Sequence, residues 1–576
     1  MEKKKGSTTT SKKSNATKTK NVVKDEVKTV SENKEIIKQS TKRNNHDTFK
    51  VLAIVILVVA VITWFIKTGT WDYGSASDAA VTFTQNESAV TTGINELFLS
   101  IYYGINYYLV QIVFLVALGI FYGIISKTNG YKAMVKKCAS LFKSREVLFT
   151  LITSLIIAIL TSFITQPIVV ITFIPLIYSI AKELKINKVT AMLMTYGSLA
   201  VGLMGLTYGT YGTYYASQNL GIELTSGILY RAIILVVGYL LINIFMVLFN
   251  KKNTNAEIAE DNFELSESNA KAASWPYFLM FAFLFIITIL GYIQFDNIFN
   301  NETFANFHNW LTTEIVVGEN QTPIIGQILG NVGAFGTWDP FVISYIFLII
   351  VIIIVFVKKI KKLTSKDFKK LLIDLGIVIV VIAVCELLKF TKAFEFVNFG
   401  MLAAAISVTY LLIRFFLNKN ISVVDDEIIE NALSGLKKVI KPIVLITLAY
   451  SVFVLCYWSG ITTNIVNFFN SGNNFSPYLT ALGNTIADFL HVDVEYTGFV
   501  LGQFYAAKYA QHTEQILAIM SATSGLVALI APTSIFMLTG LSLSNMSYKD
   551  YFKAIWKFLI ALVIVLCVVF TIITFM

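Results

Sequence analysis

The chain has 576 residues, 55% hydrophobic and 14% charged, with a formal net charge of +10. A soluble chain carries about 25% charged residues, and a helix crosses a bilayer with roughly 20 apolar residues. The many long apolar runs therefore exclude a soluble protein and predict an all-α polytopic membrane protein. They are too long for the short alternating strands of a membrane β-barrel.

Residues 1–50 hold fourteen Lys/Arg against six Asp/Glu, which is most of the net charge. This Ser/Thr/Lys-rich stretch is too poor in apolar residues to fold alone. It reads as a disordered, basic cytoplasmic tail, with attraction to anionic lipid as a second use. It lacks the interleaved aromatics that stack on bases, so no nucleic-acid partner is expected. The first apolar run is 51–66. Ser75-Ala76-Ser77 follows it in the manner of a cleavage site. Fifty residues are too many for a signal-peptide n-region, so the run is expected to stay as the first span.

Further spans are predicted near 107–126, 190–216, 229–249, 275–295, 341–357, 371–388, 399–416, 439–458, 514–540 and 555–575, giving about eleven in all. Basic residues mark cytoplasmic loops. They fall at Lys127–Arg145, Lys251-Lys252, Lys358–Lys370 and Lys437-Lys438, whereas 296–340 holds five acids and no Lys or Arg. The expected placement is a plasma membrane, with the N-terminus cytoplasmic and the C-terminus outside.

Two apolar segments do not read as simple spans. Residues 147–181 are broken by Thr161-Ser162, Thr165-Gln166-Pro167 and Pro175. Residues 477–510 are broken by Gly483-Asn484, by Asp488–Thr497 and by Gly502. Both read as re-entrant hairpins, which membranes tolerate only where protein or a wet cavity surrounds them. The order span, span, hairpin, broken span, span then occurs twice. It runs over 51–249 with a cytoplasm-facing hairpin and over 399–576 with an outward-facing one. Three linking spans in 250–398 would invert the second copy.

The broken spans support this. MTYGSLAVGLMGLT (194–207) and MSATSGLVALIAPT (520–533) match without gaps at Met194/Met520, Ser198/Ser524, Val201/Val527, Leu203/Leu529 and Thr207/Thr533. Paired interrupted helices point to the binding site of a secondary transporter. The candidate binding residues are therefore Thr161, Ser162, Thr165 and Gln166 at the first tip, and Ser198, Thr207, Tyr208, Gly209 and Thr210 at the first break, within the run Tyr208–Thr213. The second tip offers Thr497, Gly498 and Gln503, and the second break Ser524, Pro532, Thr533 and Ser534. Freed carbonyls there suit a cation and half-helix N-termini suit an anion. The same small and hydroxyl residues also suit close helix packing.

Charges inside such segments are rarer. Asp488, Asp493 and Glu495 crowd the second hairpin, with His491 among them and Lys508 on the return limb. At the midplane these acids would bind a cationic group or shuttle protons; in a shallow hairpin they would sit in external water. Glu386 and Lys389 read as a structural pair one turn apart, and Arg231 as an interfacial anchor. The four cysteines and four histidines are scattered, which gives no metal site or disulfide framework. Walker, G-x-G-x-x-G and H-E-x-x-H signatures are absent, so no enzyme is expected, no cofactor, and a drive from Na⁺, H⁺ or exchange.

From about residue 50 onward the chain resembles the YfcC-type branch of the anaerobic four-carbon dicarboxylate carriers, within the ion transporter superfamily. The resemblance rests on TWFIKTGTWDYG (63–74), GIFYGIISKTNGYKAMVKK (119–137), LYRAIILVV (229–237), SGLKKVIKPIVLI (434–446) and above all APTSIFMLTGLSLSNMSYKDYFKAIWK (531–557). It implies a secondary transporter, with substrates among dicarboxylates and basic amino acids and a homodimer by analogy. The chain departs from the family at both hairpins. TSFITQP stands where many members have a Gly-rich acidic tip, and Tyr496-Thr497-Gly498 where many have Ser-Gly-Ser-Gly.

The expectation is thus a secondary transporter of a small carboxylate-bearing metabolite, leaning to an amino acid. Thr207, Thr533 and Ser534 would hold the carboxylate and the acids of 488–495 a cationic group. A Na⁺- or H⁺-coupled dicarboxylate carrier is the alternative, and a non-transporting membrane scaffold a third reading. The partners expected are the small-molecule substrate and the lipid bilayer.

Overall fold

The computed structural model describes residues 47–67, 69–72, 82–85, 90–253, 256–268, 270–317, 322–323, 325–326, 330, 332–360, 365–389, 402–403, 406–411, 426–472 and 474–575. Most of the basic tail, Ser75-Ala76-Ser77 and most of the expected span 399–416 lie outside the described residues, as do the side chains of Glu386 and Lys389.

The described chain is helical apart from two short antiparallel ribbons, 69–72 with 82–85 and 316–317 with 322–323. Helix α1 (Asp47–Ile62) leads to α2 (Ile94–Tyr107) and α3 (Leu109–Ser126), which join at a kink on Tyr108. After α4 (Asn129–Leu141), the first hairpin rises as α5 (Glu146–Phe163) and returns as a 3₁₀ turn, Pro167–Phe173, and α6 (Ile174–Glu183). The first broken helix is α7 (Lys188–Met204), an irregular stretch to Thr213, and α8 (Tyr214–Leu220). Next come α9 (Ile228–Lys252), α10 (Trp275–Tyr292), α11 (Pro340–Ile360), α12 (Ser365–Lys389), α13 (Asp426–Ser459) and α14 (Ile461–Phe469). The second hairpin is α15 (Pro477–His491) with α16 (Val494–Lys508). The second broken helix is α17 (Thr513–Ile530) with α18 (Ile535–Leu543), and α19 (Tyr548–Phe575) follows.

Among the described residues, seven helices are long and apolar enough to cross a bilayer: 109–126, 146–163, 228–252, 275–292, 427–459, 510–543 and 548–575. The stripe Val236, Leu240, Ile244 and Leu248 on α9 is exposed. Apolar side chains one turn apart on an outer face are what lipid contact requires.

Loop contacts surround the ends of both hairpins. The ends of the first meet loops at one face: Lys188 N–H donates to Glu257 O at 2.8 Å, Ala259 N–H to Ile186 O at 2.8 Å and Ser266 N–H to Ser126 O at 3.0 Å. Lys182 pairs with Asp261 at 2.6 Å. At the ends of the second, Phe475 stacks on His512 at 4.4 Å. There Lys508 Nζ donates to Asn470 O, and Asn464 Nδ2 donates to Lys67 O at 2.6 Å. The segment 146–163 is long enough and apolar enough to span.

Helices α3 and α13 cross at small residues. A Cβ on Gly435 would stand 2.0 Å from Gly119 O, so the two backbones approach as closely as glycine allows. Arg231 corrects its reading as an interfacial anchor. It is fully buried, because the turn before α9 folds over it and supplies the carbonyls of Leu224 and Ser226 to Nη2.

Candidate functional site

Each break frees backbone groups that lipid cannot satisfy. At the first break the partners are side chains of both halves of the chain. Ser521 Oγ, on α17, lies 3.0 Å from both Leu203 O and Met204 O and accepts from Leu206 N–H at 3.2 Å. From the first hairpin tip, Ser162 Oγ donates to Gly205 O at 2.6 Å, and Ser162 O accepts from the N–H groups of Thr207 at 3.0 Å and Gly209 at 2.9 Å. At the second break, α19 supplies the cover. Tyr551 OH donates to Leu529 O at 3.2 Å and Tyr548 OH to Ile530 O at 2.8 Å. Pro532 brings no N–H of its own, and Ser534 caps the restart of the helix by accepting from Met537 N–H.

The tips are pinned as well. Thr165 N–H donates to Tyr292 O at 2.8 Å, which fastens the first tip to the end of α10. The second tip turns on Val492 at φ +63°, a strained conformation for a β-branched residue. Phe453 and Tyr457 of α13 pack against Tyr496 at 5.0 and 5.5 Å between ring centroids. Asp493 caps α16, its Oδ1 accepting from Glu495 N–H at 3.0 Å.

Between the tips lies a cleft holding about 380 Å³ of empty space, part of it open to solvent. The first tip contributes Gln166, Pro167 and Ile168, and the first break Tyr211. The second tip contributes Asp493 and Glu495, the restart of the second broken helix Phe536, and the kink between α2 and α3 Tyr108 and Gln111. The ring of Tyr108 lies 3.9 Å from that of Tyr450. No Lys or Arg lines the cleft, and neither Asp493 nor Glu495 has an ion pair among the described residues.

Of the residues singled out from sequence, Gln166, Asp493 and Glu495 line this cleft. Ser162, Thr207, Gly209 and Thr533 are occupied in the ties between tips and breaks, and Ser534 bonds within the second broken helix, to Ala528 O and Met537 N–H. Thr161 and Thr165 are buried with hydroxyls that have no partner, Thr210 and Pro532 are buried, and Tyr208 packs on Phe163 at 5.5 Å. Ser198 bonds Ser154 Oγ at 2.7 Å, and Ser524 lies 3.3 Å from Asp488 Oδ2, so the two matched serines each face the rising limb of their own hairpin. Thr497 bonds His491 Nδ1 at 3.0 Å. A Cβ on Gly498 would stand 2.8 Å from Gly212 O, so Gly498 seats α8 on α16, and Gln503 is exposed. Tyr108 and Gln111 were not singled out. The signal was present, since Gln111 interrupts an otherwise apolar run and its Oε1 is buried without a partner.

The family model described as C4-dicarboxylate anaerobic carrier matches residues 46–374. No curated protein matches the chain. Two similar solved structures are transporters. The YdaH transporter of Alcanivorax borkumensis is 11% identical, with 92% of this chain and 98% of that chain covered and a TM-score of 0.34. MtrF of Neisseria gonorrhoeae, described as one of a class of antimetabolite efflux pumps, is 10% identical, with coverage of 91% and 94% and a TM-score of 0.30.

Proposed function

The chain belongs to the C4-dicarboxylate anaerobic carrier family and is a multi-pass membrane transporter, and from that premise we propose that its substrate is a small metabolite bearing both a carboxylate and a cationic group, an amino acid of the basic kind. One observation carries this reading: the cleft between the hairpin tips presents two carboxyls, Asp493 and Glu495, and no basic side chain. A dianion entering there would meet like charge without compensation, whereas an ammonium or guanidinium would meet opposite charge beside the aromatic rings of Tyr108, Tyr211 and Phe536. The amides of Gln111 and Gln166 and the N-terminus of α18 offer donors for the carboxylate.

Transport is secondary, driven by an ion gradient or exchange. The protein works in the plasma membrane with its basic face cytoplasmic and the repeats inverted about the cleft. The family's description favours a second reading, a four-carbon dicarboxylate carrier, in which protons or cations bound at Asp493 and Glu495 neutralise the site. Counterflow in proteoliposomes decides between them. Lysine or arginine exchange with little response to succinate supports the first reading, and the reverse pattern replaces it with the second.

A further inference from the structure

Asp488 sits outside the cleft, on the rising limb of the second hairpin, and is 1% exposed. Its Oδ2 lies 3.1 Å from Thr523 Oγ1 and 3.3 Å from Ser524 Oγ, both on α17, the Thr497 hydroxyl of α16 also faces the carboxyl, and Oδ1 is buried with no hydrogen bond among the described residues. No ion pair reaches it among the described residues. The titratable side chains that feel its charge are Tyr505 on α16 and Tyr211 on the first break, and His491 lies nearby on its own helix. Tyr505 OH is committed to Asn484 Oδ1 at 2.9 Å and His491 Nδ1 to Thr497 at 3.0 Å. Asp493 and Glu495 stand apart at the cleft, and Lys508 is held by Asn470 O.

The two hydroxyls have a choice of partner. Thr523 Oγ1 is also 3.0 Å from Met520 O, and Ser524 Oγ is 2.8 Å from the same carbonyl. A hydroxyl has one proton and two lone pairs. With its proton on Asp488 Oδ2 it serves a carboxylate. With its proton turned to Met520 O it offers a lone pair to a carboxylic O–H. The pair therefore accommodates either protonation state with only a rotation of hydroxyl hydrogens.

We propose that Asp488 carries the coupling proton of this transporter, a reading that rests on the chain being an ion-driven carrier. One proton adds to one carboxylate oxygen while the second hairpin lies against α17. The hydroxyl that accepts the new O–H turns its own proton to Met520 O, the other keeps its proton on the carboxyl, and the neutral carboxyl stays dry. When hairpin and broken helix part, water reaches the group and the proton leaves to that side. Asp488 is thus distinct from the acids that meet substrate, and it shares with them the helix pair that must move.

The test uses the purified full chain in lipid. Infrared difference spectra should show a protonated-carboxyl band that disappears as pH is raised, is missing from Asp488→Asn and persists in Glu495→Gln. A wild-type protein without a titrating band, or a band unchanged by Asp488→Asn, overturns the proposal. This readout needs no substrate, so it stands even if neither lysine nor succinate is moved, an outcome that would instead remove both substrate readings. In proteoliposomes, with lysine and succinate as probes, the ratio of pH-driven accumulation to exchange should fall about 10-fold or more in Asp488→Asn. A ratio equal to wild type, or accumulation driven by Na⁺ and indifferent to pH, counts against it.

Discussion

The hydroxyl of Thr533 donates to the carbonyl of Phe489 at 2.8 Å. Thr207 stands in the same relation to Ser162, with its Oγ1 3.3 Å from Ser162 O. Each threonine follows the helical part of a broken span, and each carbonyl lies near the top of the rising limb of the preceding hairpin. The matched residues of the two sequence stretches thus make matched contacts, and what they bind is the protein's own backbone.

These ties predict a graded effect. A net hydrogen bond contributes about 1 kcal/mol, and an unpaired buried carbonyl costs somewhat more. Thr533→Val and Thr207→Val should each lower uptake roughly tenfold, with Ser at either position restoring most of it. Uptake into proteoliposomes, beside thermal unfolding in detergent, checks this. Normal uptake by both valine variants would remove the tips and breaks from the mechanism.

Glu495→Gln keeps the size of the side chain and removes its charge. A hydrogen bond to a charged group is worth about 1.5–3 kcal/mol, so the half-saturation concentration for lysine should rise at least about tenfold. That for succinate should not rise. Equal changes for both probes in a counterflow titration would show that Glu495 does not meet a cationic group.

Ser521 serves three backbone groups of the other half of the chain. Ser521→Ala leaves Leu206 N–H without its partner at membrane depth. The expected loss is about 1–3 kcal/mol, seen as a lower thermal midpoint of the purified protein. An unchanged midpoint would mean that water or movement satisfies the break.

Close backbone approach predicts which glycines matter. Gly435→Ala places a Cβ 2.0 Å from Gly119 O and should cost about 1–3 kcal/mol or more through overpacking. Gly376→Ala on α12 meets nothing within 4 Å and should leave folded yield unchanged. Size-exclusion profiles of the two variants make the comparison, and similar profiles would contradict the crossing of α3 and α13.

Punctuation in the sequence was informative because membranes penalise irregular backbone. Pro167, Pro175 and Pro532, with the polar residues around them, fall where the helices break. The identity of the cleft lining was harder to read. Tyr108 and Gln111 reach it from a span that looked ordinary, and only packing against α13 brings Tyr108 beside Tyr450. Gly498 and Gln503 looked like ligands because they lie near the second tip. Helical periodicity instead turns Gly498 onto α8 and Gln503 outward. Thr207, Thr533 and Ser534 have the chemistry of ligands, but the same chemistry is what a broken helix needs to satisfy itself.

The two phenols that cover the second break belong to α19, which follows it in the chain. While the polypeptide is being threaded into the bilayer, Leu529 and Ile530 emerge well before Tyr548 and Tyr551. Until those tyrosines arrive, the second break has bare carbonyls in lipid and no reason to hold its bend. Assembly of the transport centre therefore waits for the synthesis of α19, and ribosomes stalled before residue 548 should present a chain that is inserted but open to proteolysis around 531–534.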